Sequence, residues 1–489
     1  MQSETSKTKK QNIDFEVANF ALLPIKELEN NDIEPTFSNE AILSKEEKWG
    51  IFLLHLLYFV QGIPFGFFGL AIPYLLIEKG ADFTQIGILS FCLYPFCFKI
   101  FLAPFEDIYF FRNFGKRKTY IIPCQYLLAF FFLILSFIIN GLLEDLNVGV
   151  LCFLGFLIVL IIAFQDVSVD GWVLTLLSNE NVKWGAVSQC VGQAIGIIFG
   201  GSILIQLSSV KFCNEYLFSE PSNSPLITIP NFLRIFAIII LLINFWVHFG
   251  IKERNPAKNE YLSVWILVKD LKGFYTNANL RYCVILCLTS NLGFAAVTNT
   301  APLKLIQLGF SKETLTTISM TLILVNLGLS FIIGKYARIG NEMSLYIRFY
   351  VILFVHNIFL FILISVYDGT QGGSFTFLYV ISALFGDGTA ALVMVNQGSF
   401  NNRISDEDVG GTFLTFLNAM WNFGRFGGTS LILFLVDSFN YTVLVILSWV
   451  YVIVYMAVFG KTFLKLERVK KKTGNFEFIY ELTHFLIYS

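Results

Sequence analysis

Charged residues are scarce in this chain of 489 residues. They make up only 14% of the sequence, whereas about one-quarter is usual for a soluble domain. Hydrophobic residues make up 55%. This composition excludes an ordinary soluble globular domain and predicts a protein with many membrane spans.

Sequence signals of several other protein classes are also missing. The segment 1–49 is polar and holds no apolar run of signal-peptide length, so we expect no cleavable secretory signal. No Walker-type phosphate loop, G-x-x-x-x-G-K-[ST], occurs in the sequence, which argues against transport driven by ATP. The net charge is -1, so the overall charge gives no reason to expect nucleic acid as a partner.

The cysteines predict neither disulfides nor a metal site. All of the eight except Cys213 lie in apolar runs, where they behave as small hydrophobic residues. Cys283 and Cys287 are spaced as i and i+4, but no histidine accompanies them as a further ligand. We therefore predict no metal and no bound cofactor.

Apolar runs of about 20 residues, the length that crosses the hydrocarbon layer, recur along the chain. Their approximate ranges are 50–77, 86–105, 119–139, 148–168, 186–207, 231–251, 281–303, 314–333, 345–366, 376–397, 411–435 and 442–461. These runs predict an all-α polytopic membrane protein with about twelve transmembrane helices embedded in the lipid bilayer.

The basic residues are concentrated on one side of the predicted spans. The two tails and the loops after even-numbered spans hold most of the 34 lysines and arginines. The opposite loops hold only Lys79, Lys211, Lys304 and Lys312. By the positive-inside rule, both termini are predicted to be cytosolic.

The longest internal loop divides the spans into two groups of six. We predict a cytosolic N-terminal tail over 1–49, six-helix bundles over 50–251 and 281–461, a cytosolic linker over 252–280 and a cytosolic C-terminal tail over 462–489. A weak internal repeat supports two related halves. SNENVKWGAVSQCVGQAIGIIFGG, at the fifth span, has a counterpart in FNNRISDEDVGGTFLTFLNAMWNFGRFGG, at the eleventh.

Two aspartates stand close together near the end of the fourth predicted span. The stretch QDVSVDGW places Asp166 and Asp170 on one helical face, where they repel each other unless a cation lies nearby. Lys99 and the basic loop FEDIYFFRNFGKRKTYIIP are candidate sources of that cation. The pair fits either a structural gate latch or direct contact with substrate or protons. The predicted gate residues are Lys99, Asp107, Arg112, Lys116, Arg117, Asp166 and Asp170.

Deeper polar residues suggest a central cavity. Asp387 and Arg425 fall near the middle of consecutive spans, where a buried charge costs about 2.5–3.5 kcal/mol on insertion scales, so neither should face lipid. Asn418, Asn422 and Arg425 follow i, i+4, i+7 spacing and form one stripe. The predicted substrate-binding residues are Gln61, Gln189, Gln193, Asp387, Asn418, Asn422 and Arg425, with Arg425 available to a phosphate.

Structural explanations compete with these assignments. The stretch QGIPFG around Gln61 fits a helix kink with close packing of Gly62 and Gly66 as well as it fits a cavity-lining glutamine. Asp387 and Arg425 fit an ion pair that only holds the second bundle together. His356 alone permits a membrane acyltransferase, but no second element of such a site is visible, and packing explains it.

The chain resembles the acetyl-coenzyme A transporter family, a branch of the major facilitator superfamily. The resemblance rests on YFVQGIPFG, KIFLAPFEDIYFFRNFGKRKTYIIPCQY, AFQDVSVDGWVLTLLSNENV, KFCNEYL and ISDEDVGGTFLTFLN, which follow one another in the family's order from about residue 50 to 460. It implies the major facilitator fold, with two six-helix bundles and alternating access. It also implies movement of acetyl-CoA from the cytosol across the endoplasmic reticulum membrane into the lumen.

Other functions stay open at the level of sequence. The bacterial muropeptide permeases share the double-aspartate, tryptophan and basic-loop pattern, so an alternative cargo is another large polar solute, with or without proton coupling. The resemblance implies a transporter and no enzyme, with acetyl-CoA as cargo and free CoA as a conceivable counter-substrate. The sequence does not determine the transport mode or the oligomeric state.

Overall fold

The structure, a computed structural model, describes residues 43–99, 101–102, 106, 109–111, 114–178, 181, 183–253, 278–336, 342–370, 372–404 and 410–467. Within these ranges the secondary structure is helical and contains no strand. The described residues from Leu43 onward form one compact unit. The boundaries expected between tails, bundles and linker stay predictions.

The first half contains six long helical segments, which we call the N-bundle. They are α1 (Lys45–Gly66, Phe67–Ala71 and Ile72–Glu78), α2 (Phe83–Ser90 and Phe91–Phe98), α3 (Lys118–Glu144), α4 (Val148–Leu176), α5 (Lys183–Ile197, Ile198–Ile203 and Leu204–Leu207) and α6 (Ile229–Phe245 and Trp246–Gly250). A short helix, Val210–Tyr216, lies between α5 and α6.

The second half contains another six, which we call the C-bundle. They are α7 (Ala278–Thr289, Leu292–Thr298 and Ala301–Gln307), α8 (Lys312–Tyr336), α9 (Glu342–Val366), α10 (Gly373–Ile404), α11 (Gly410–Ser438) and α12 (Tyr441–Glu467). Within the described residues, nine helices are long and apolar enough to cross a membrane. Helices α2, α8 and α11 do not meet these criteria of length and composition. The predicted all-α fold of a multi-pass membrane protein is confirmed.

Local sequence explains how α1 begins and bends. Ser44 and Glu47 form a capping box, in which each side chain accepts a hydrogen bond from the other residue's backbone N–H. The Glu47 carboxylate also accepts hydrogen bonds from Ser178 and Asn181, just after α4. Pro64 lies inside the helix and is followed by a π-helical turn over Phe67–Ala71. A proline removes a backbone donor, and such turns absorb the resulting bend.

Glycines bring α1 and α5 into close contact. A Cβ atom added to Gly196 would lie 2.3 Å from the Phe59 carbonyl oxygen, and one added to Gly62 would lie 2.2 Å from the Gln193 carbonyl oxygen. A Cβ atom added to Gly200 would lie 2.1 Å from the Ile63 carbonyl oxygen. Only glycine permits such an approach of two helix backbones.

The contacts between the bundles are concentrated at one end of the molecule. We call the end where α1 begins the Lys45 side, and the end where it ends the Glu78 side. Helix α2 packs against α11, α5 against α8, and the end of α1 against the end of α7. Thr84 donates its N–H to Asp437 Oδ2 at 2.6 Å, and Gln206 donates to Thr317 Oγ1 at 2.9 Å.

Further polar contacts join the bundles at the same end. Lys312 forms an ion pair with Glu78, and Ser209 donates a hydrogen bond to Glu313 Oε1 at 2.7 Å. The Lys304 ammonium lies 4.9 Å from the Phe83 ring centre. All of these polar links lie in the half of the molecule that includes Glu78. The two bundles are therefore closed together on the Glu78 side.

Candidate functional site

Asp166 and Asp170 share one lysine. Lys99, directly after α2, places its Nζ 2.7 Å from Asp166 Oδ2 and 3.9 Å from Asp170 Oδ2. Helix α2 packs along α4, which brings this lysine to the face that carries both carboxylates. The cation that the i, i+4 spacing requires is therefore Lys99.

Neutral donors from two other helices complete the cluster. Tyr58 of α1 donates its hydroxyl hydrogen to Asp170 Oδ1 at 2.7 Å. Gln189 of α5 lies with its Nε2 3.3 Å from Asp166 Oδ1 and 3.3 Å from Asp170 Oδ1. We call Tyr58, Lys99, Asp166, Asp170 and Gln189 the lysine–aspartate cluster. It joins four N-bundle helices through charge-assisted hydrogen bonds, which are stronger than neutral ones.

The glycine contacts between α1 and α5 position this cluster. Gly192 lies against the His55 carbonyl oxygen and the Tyr58 Cβ, where an added Cβ would approach to 2.7 and 2.8 Å. Gln189 is three residues before Gly192, so it lies on the same part of α5. One turn further along both helices, Gln193 donates its Nε2 to Gln61 Oε1 at 3.2 Å.

Gln61 itself is fully buried. Its relative exposure is 0%, and its Nε2 has no hydrogen-bond partner among the described residues. Gln193 is half-buried. The surroundings of Gln61 fit the alternative of a kink with close helix packing, because Gly62 and Gly66 both meet the α5 backbone.

The basic loop makes a different set of contacts. Arg117 Nη1 lies 3.9 Å from Glu106 Oε2, and Ser168 of α4 donates a hydrogen bond to the same carboxylate. The Arg117 guanidinium also covers Gly171, where an added Cβ would lie 2.2 Å from its Cζ. Lys116 lies 5.8 Å from the Phe110 ring centre. Two other predicted gate residues, Asp107 and Arg112, lie outside the described residues.

Glu253 is a residue that the sequence reasoning missed. Its carboxylate accepts hydrogen bonds from the backbone N–H groups of Arg117 and Lys118, at 2.9 to 3.1 Å, where α3 begins. Gly115, with φ of 108°, lies directly against it. A carboxylate at a helix N-terminus satisfies free N–H groups and the helix dipole. The signal, a lone Glu after α6, becomes informative only when α3 and α6 are known to be neighbours.

The polar stripe of α11 lies on a different face from the one that packs against α2. Helix α11 contacts α2 through Phe423, Ser430 and Asp437, which share one face. Asn418, Asn422 and Arg425 lie on another face, which continues to Thr429, and Thr429 accepts a hydrogen bond from Asn299 of α7 at 2.8 Å. Asn418 and Arg425 are exposed, and Asn422 is half-buried.

Aromatic rings flank Arg425. Its guanidinium carbon lies 5.7 Å from the Trp421 ring centre and 5.8 Å from that of Phe426, both within cation–π distance. Asp387 of α10 interacts with Asn326 and attracts Arg425 electrostatically. Among the ion pairs between described residues, none joins Asp387 to Arg425 directly. The guanidinium therefore has hydrogen-bonding capacity that this carboxylate does not occupy.

One ring contact connects the sequence neighbours of Lys99 and Arg425. Phe98, the neighbour of Lys99, has its ring centre 6.3 Å from that of Phe423, two residues before Arg425. Lys99 and Arg425 therefore each lie within two residues of the same contact between α2 and α11.

A metal site and an acyltransferase site at His356 are the two remaining hypotheses from the sequence. The described residues contain no group of three metal-ligand side chains. His356 is buried, its Nε2 lies 3.0 Å from Ser382 Oγ, and its ring fills the space beside Gly386. These contacts explain His356 by packing.

Comparisons of sequence place this geometry among known proteins. The family described as Acetyl-coenzyme A transporter 1 matches residues 50–272 and 349–465, more than half of the chain. An uncharacterized protein of Schizosaccharomyces pombe is 28% identical over 85% of this chain and 79% of its own length. The anhydromuropeptide permease of Escherichia coli is 24% identical over 32% of this chain and 31% of its own.

Comparisons of structure agree on the fold. A nucleoside transporter superposes with a TM-score of 0.56 at 13% identity, covering 87% of this chain and all of its own. A D-xylose-proton symporter gives a TM-score of 0.55 at 12% identity, covering 84% and 98%. Both likenesses concern the fold, and they confirm the predicted major facilitator architecture. The chain belongs to the acetyl-coenzyme A transporter family.

Proposed function

We propose that the protein moves acetyl-CoA from the cytosol across the endoplasmic reticulum membrane into the lumen by alternating access. The observation that carries this proposal is the exposed Arg425 in the polar stripe of α11. A cation in mid-span is costly unless it meets a polar cavity or an anion. In a chain of this family, an anionic cargo supplies the partner.

The chemistry of the stripe suits the cargo. Acetyl-CoA carries several phosphate charges, and a guanidinium binds phosphate through paired hydrogen bonds. Asn418 and Asn422 offer amide donors and acceptors next to it, and the Trp421 and Phe426 rings offer apolar surface. Free CoA shares the phosphates, so it suits the same site as a counter-substrate.

The direction of opening supports uptake from the cytosol. Among the described residues, the bundles are joined on the Glu78 side, and we propose that the site opens on the Lys45 side. By the positive-inside rule, the Lys45 side is cytosolic, with both termini on it. Alternating access then requires the contacts on the Glu78 side to open and the Lys45 ends to close. Localisation to the endoplasmic reticulum rests on the resemblance to the family alone.

We assign the predicted gate to two separate contacts on the Lys45 side. The lysine–aspartate cluster ties α2 to α4, and Arg117 ties the loop before α3 to Glu106 and Gly171. Both contacts join helices within the N-bundle. They hold the bundle as a unit that rocks against the C-bundle.

A second cargo is favoured by one observation. The similarity to the Escherichia coli anhydromuropeptide permease covers about a third of the chain. A muropeptide also presents carboxylate and hydroxyl groups to Asn418, Asn422 and Arg425. An enzymatic role gains no such support, since His356 is packed against Gly386 and Ser382. We therefore propose a transporter without acetyl-transfer activity.

Uptake by reconstituted protein tests the proposal. We expect liposomes that contain the full chain and trapped CoA to accumulate labelled acetyl-CoA. Arg425→Ala should weaken the apparent affinity about ten- to hundredfold, the loss of about 1.5–3 kcal/mol expected for hydrogen bonds to a charged group. Arg348→Ala, which removes an exposed arginine of α9, is the matched control and should transport normally.

Two results would contradict this assignment. If the wild-type protein moves a muropeptide and no acetyl-CoA, the cargo is wrong and the transporter fold remains. If Arg425→Ala and Arg348→Ala behave alike while acetyl-CoA is transported, the phosphate contact lies elsewhere. Arg425→Lys should weaken the apparent affinity less than Arg425→Ala, because a lysine keeps the charge and loses the forked geometry.

A further inference from the structure

The lysine–aspartate cluster has one more acidic than basic group. Asp166 and Asp170 contact the single cation Lys99, and the other two members, Tyr58 and Gln189, are neutral donors. With both carboxylates ionised, the cluster carries one surplus negative charge between apolar helices. Two carboxylates that share one cation repel each other, and one bound proton removes the repulsion.

The geometry distinguishes the two carboxylates. The Asp166 side chain is 0% exposed and lies 2.7 Å from Lys99 Nζ, so it is the ion-pair partner. The Asp170 side chain is 42% exposed and its nearer oxygen is 3.9 Å from the same nitrogen. Asp170 is thus the carboxylate that is less compensated and more accessible from the Lys45 side.

The other titratable groups near Asp170 offer no second cation in contact with it. Tyr58 of α1 contacts it directly, Asp166 precedes it by one turn on α4, and Cys190 of α5 lies near Tyr58. Arg117, from the loop before α3, covers the adjacent Gly171 and pairs with Glu106. Lys99 therefore remains the one cation within ion-pair distance of Asp170 among the described residues.

Asp387 differs from Asp170 in this respect. It has one cation, Arg425, for one carboxylate, and Asn326 as a neutral partner. Among the described residues, this cation is not shared with a second carboxylate, unlike Lys99. A second polar group near Asp170 is unsatisfied. The buried Nε2 of Gln61, one turn after Tyr58 on α1, has no hydrogen-bond partner among the described residues. These contrasts select Asp170 among the aspartates of the spans.

The surplus charge lies near the contact between α2 and α11 that also adjoins Arg425. Phe98, next to Lys99, contacts Phe423, which precedes Arg425 by two residues. A negative charge there repels phosphates that approach Arg425, and a proton on Asp170 removes the repulsion. We propose that Asp170 binds one proton when the anionic cargo binds, so that cargo and proton cross the membrane together. This inference rests on the proposed function.

The step itself is a simple protonation. A proton from water on the Lys45 side adds to a carboxylate oxygen of Asp170, and Tyr58 remains hydrogen-bonded to Oδ1. Once the Glu78 side opens, the same proton returns to water there. No other bond forms or breaks.

Cargo binding at different pH values tests the proposal. We would measure acetyl-CoA binding to the purified full chain by calorimetry from mildly acidic to mildly alkaline pH. For one proton taken up with the cargo, the dissociation constant should rise by about tenfold per pH unit above the titration of Asp170. Asp170→Asn should remove this slope, and the control Glu144→Gln, on the Glu78 side of α3, should keep it. Titration of the cargo's own phosphates affects all three proteins equally.

The outcomes separate the two proposals. If wild type neither binds nor transports acetyl-CoA, the proposed function fails, and the coupling fails with it. If wild type transports acetyl-CoA but binds it without a pH-dependent slope beyond that of Asp170→Asn, only the proton site is wrong. Should Asp170→Asn not fold, calorimetry of wild type in two buffers of different ionisation enthalpy counts the protons directly. Uptake of one proton per cargo supports the site, and uptake of none overturns it.

Discussion

At the scale of single residues, a few charges organise a chain that is mostly apolar. Lys99 compensates two aspartates from α4, Arg117 joins Glu106 to Gly171, and Glu253 caps the start of α3. The i, i+4 spacing was enough to predict that Asp166 and Asp170 need a cation. The spacing alone did not show whether that cation is Lys99 or a basic residue of the loop before α3, because the answer depends on how α2 packs along α4.

The dependence of the cluster on Lys99 can be measured. We expect Lys99→Met to lower the free energy of unfolding by about 3–5 kcal/mol, because removing one partner of a buried ion pair leaves an uncompensated charge. The readout is the melting temperature in detergent. Lys79→Met, at an exposed lysine on the Glu78 side, is the matched control and should change it little.

A second variant distinguishes charge from packing. Asp166→Asn in the Lys99→Met protein removes the uncompensated carboxylate and should restore part of the lost stability. If the double variant is no more stable than Lys99→Met, the lysine acts through the packing of its stem on Phe96, whose ring centre lies 4.7 Å from Nζ.

At the scale of helices, glycine determines which segments meet. Gly62, Gly66, Gly192, Gly196 and Gly200 make the contact between α1 and α5. The apolar runs predicted the approximate places of the long helices. They did not predict that α7 breaks around Ser290 and Thr300, because an apolar run measures length and is insensitive to backbone breaks.

Substitution of Gly196 tests the helix contact. An added Cβ would lie 2.3 Å from the Phe59 carbonyl oxygen and 2.6 Å from the Gly62 Cα, so α1 and α5 must separate. We expect Gly196→Ala to destabilise the protein by about 1–3 kcal/mol, the usual cost of overpacking. Gly141→Ala in α3, where an added Cβ meets no atom within 4 Å, should raise the melting temperature slightly, because alanine favours a helix more than glycine does. Equal effects of the two substitutions would show that helix propensity, not the contact, matters.

At the scale of the whole molecule, the described polar contacts between the bundles are concentrated on one side. The polar links on the Glu78 side come from the ends of α1, α2 and α5 in one bundle and from α8 and α11 in the other. The uneven distribution of lysines and arginines among the loops predicted which helix ends lie on the same side of the membrane. It gave no information about which ends touch, because one sequence serves both states of a transporter and pairing across bundles is a property of the state.

Weakening one link should shift the protein toward opening on the Glu78 side. Asp437 accepts a hydrogen bond from the Thr84 N–H. Ser430, about two turns earlier on the same face of α11, is buried against Ser90 and Tyr94. In a Ser430→Cys protein, we expect Asp437→Ala to increase the rate of labelling by a membrane-impermeant maleimide about five- to tenfold, for a link worth about 1–1.5 kcal/mol. The signal of the parent protein, with its native cysteines, is subtracted.

The control for this shift is a carboxylate on the same side that makes no contact between the bundles. Glu144, exposed at the end of α3, serves this purpose, and Glu144→Ala should leave labelling of Ser430→Cys unchanged. Addition of acetyl-CoA provides the opposing test, because a ligand shifts the equilibrium only toward the state it binds more tightly. If Asp437→Ala labels no faster than Glu144→Ala, the Thr84 contact does not hold the Glu78 side closed, and the closure must depend on the Glu78–Lys312 and Ser209–Glu313 contacts.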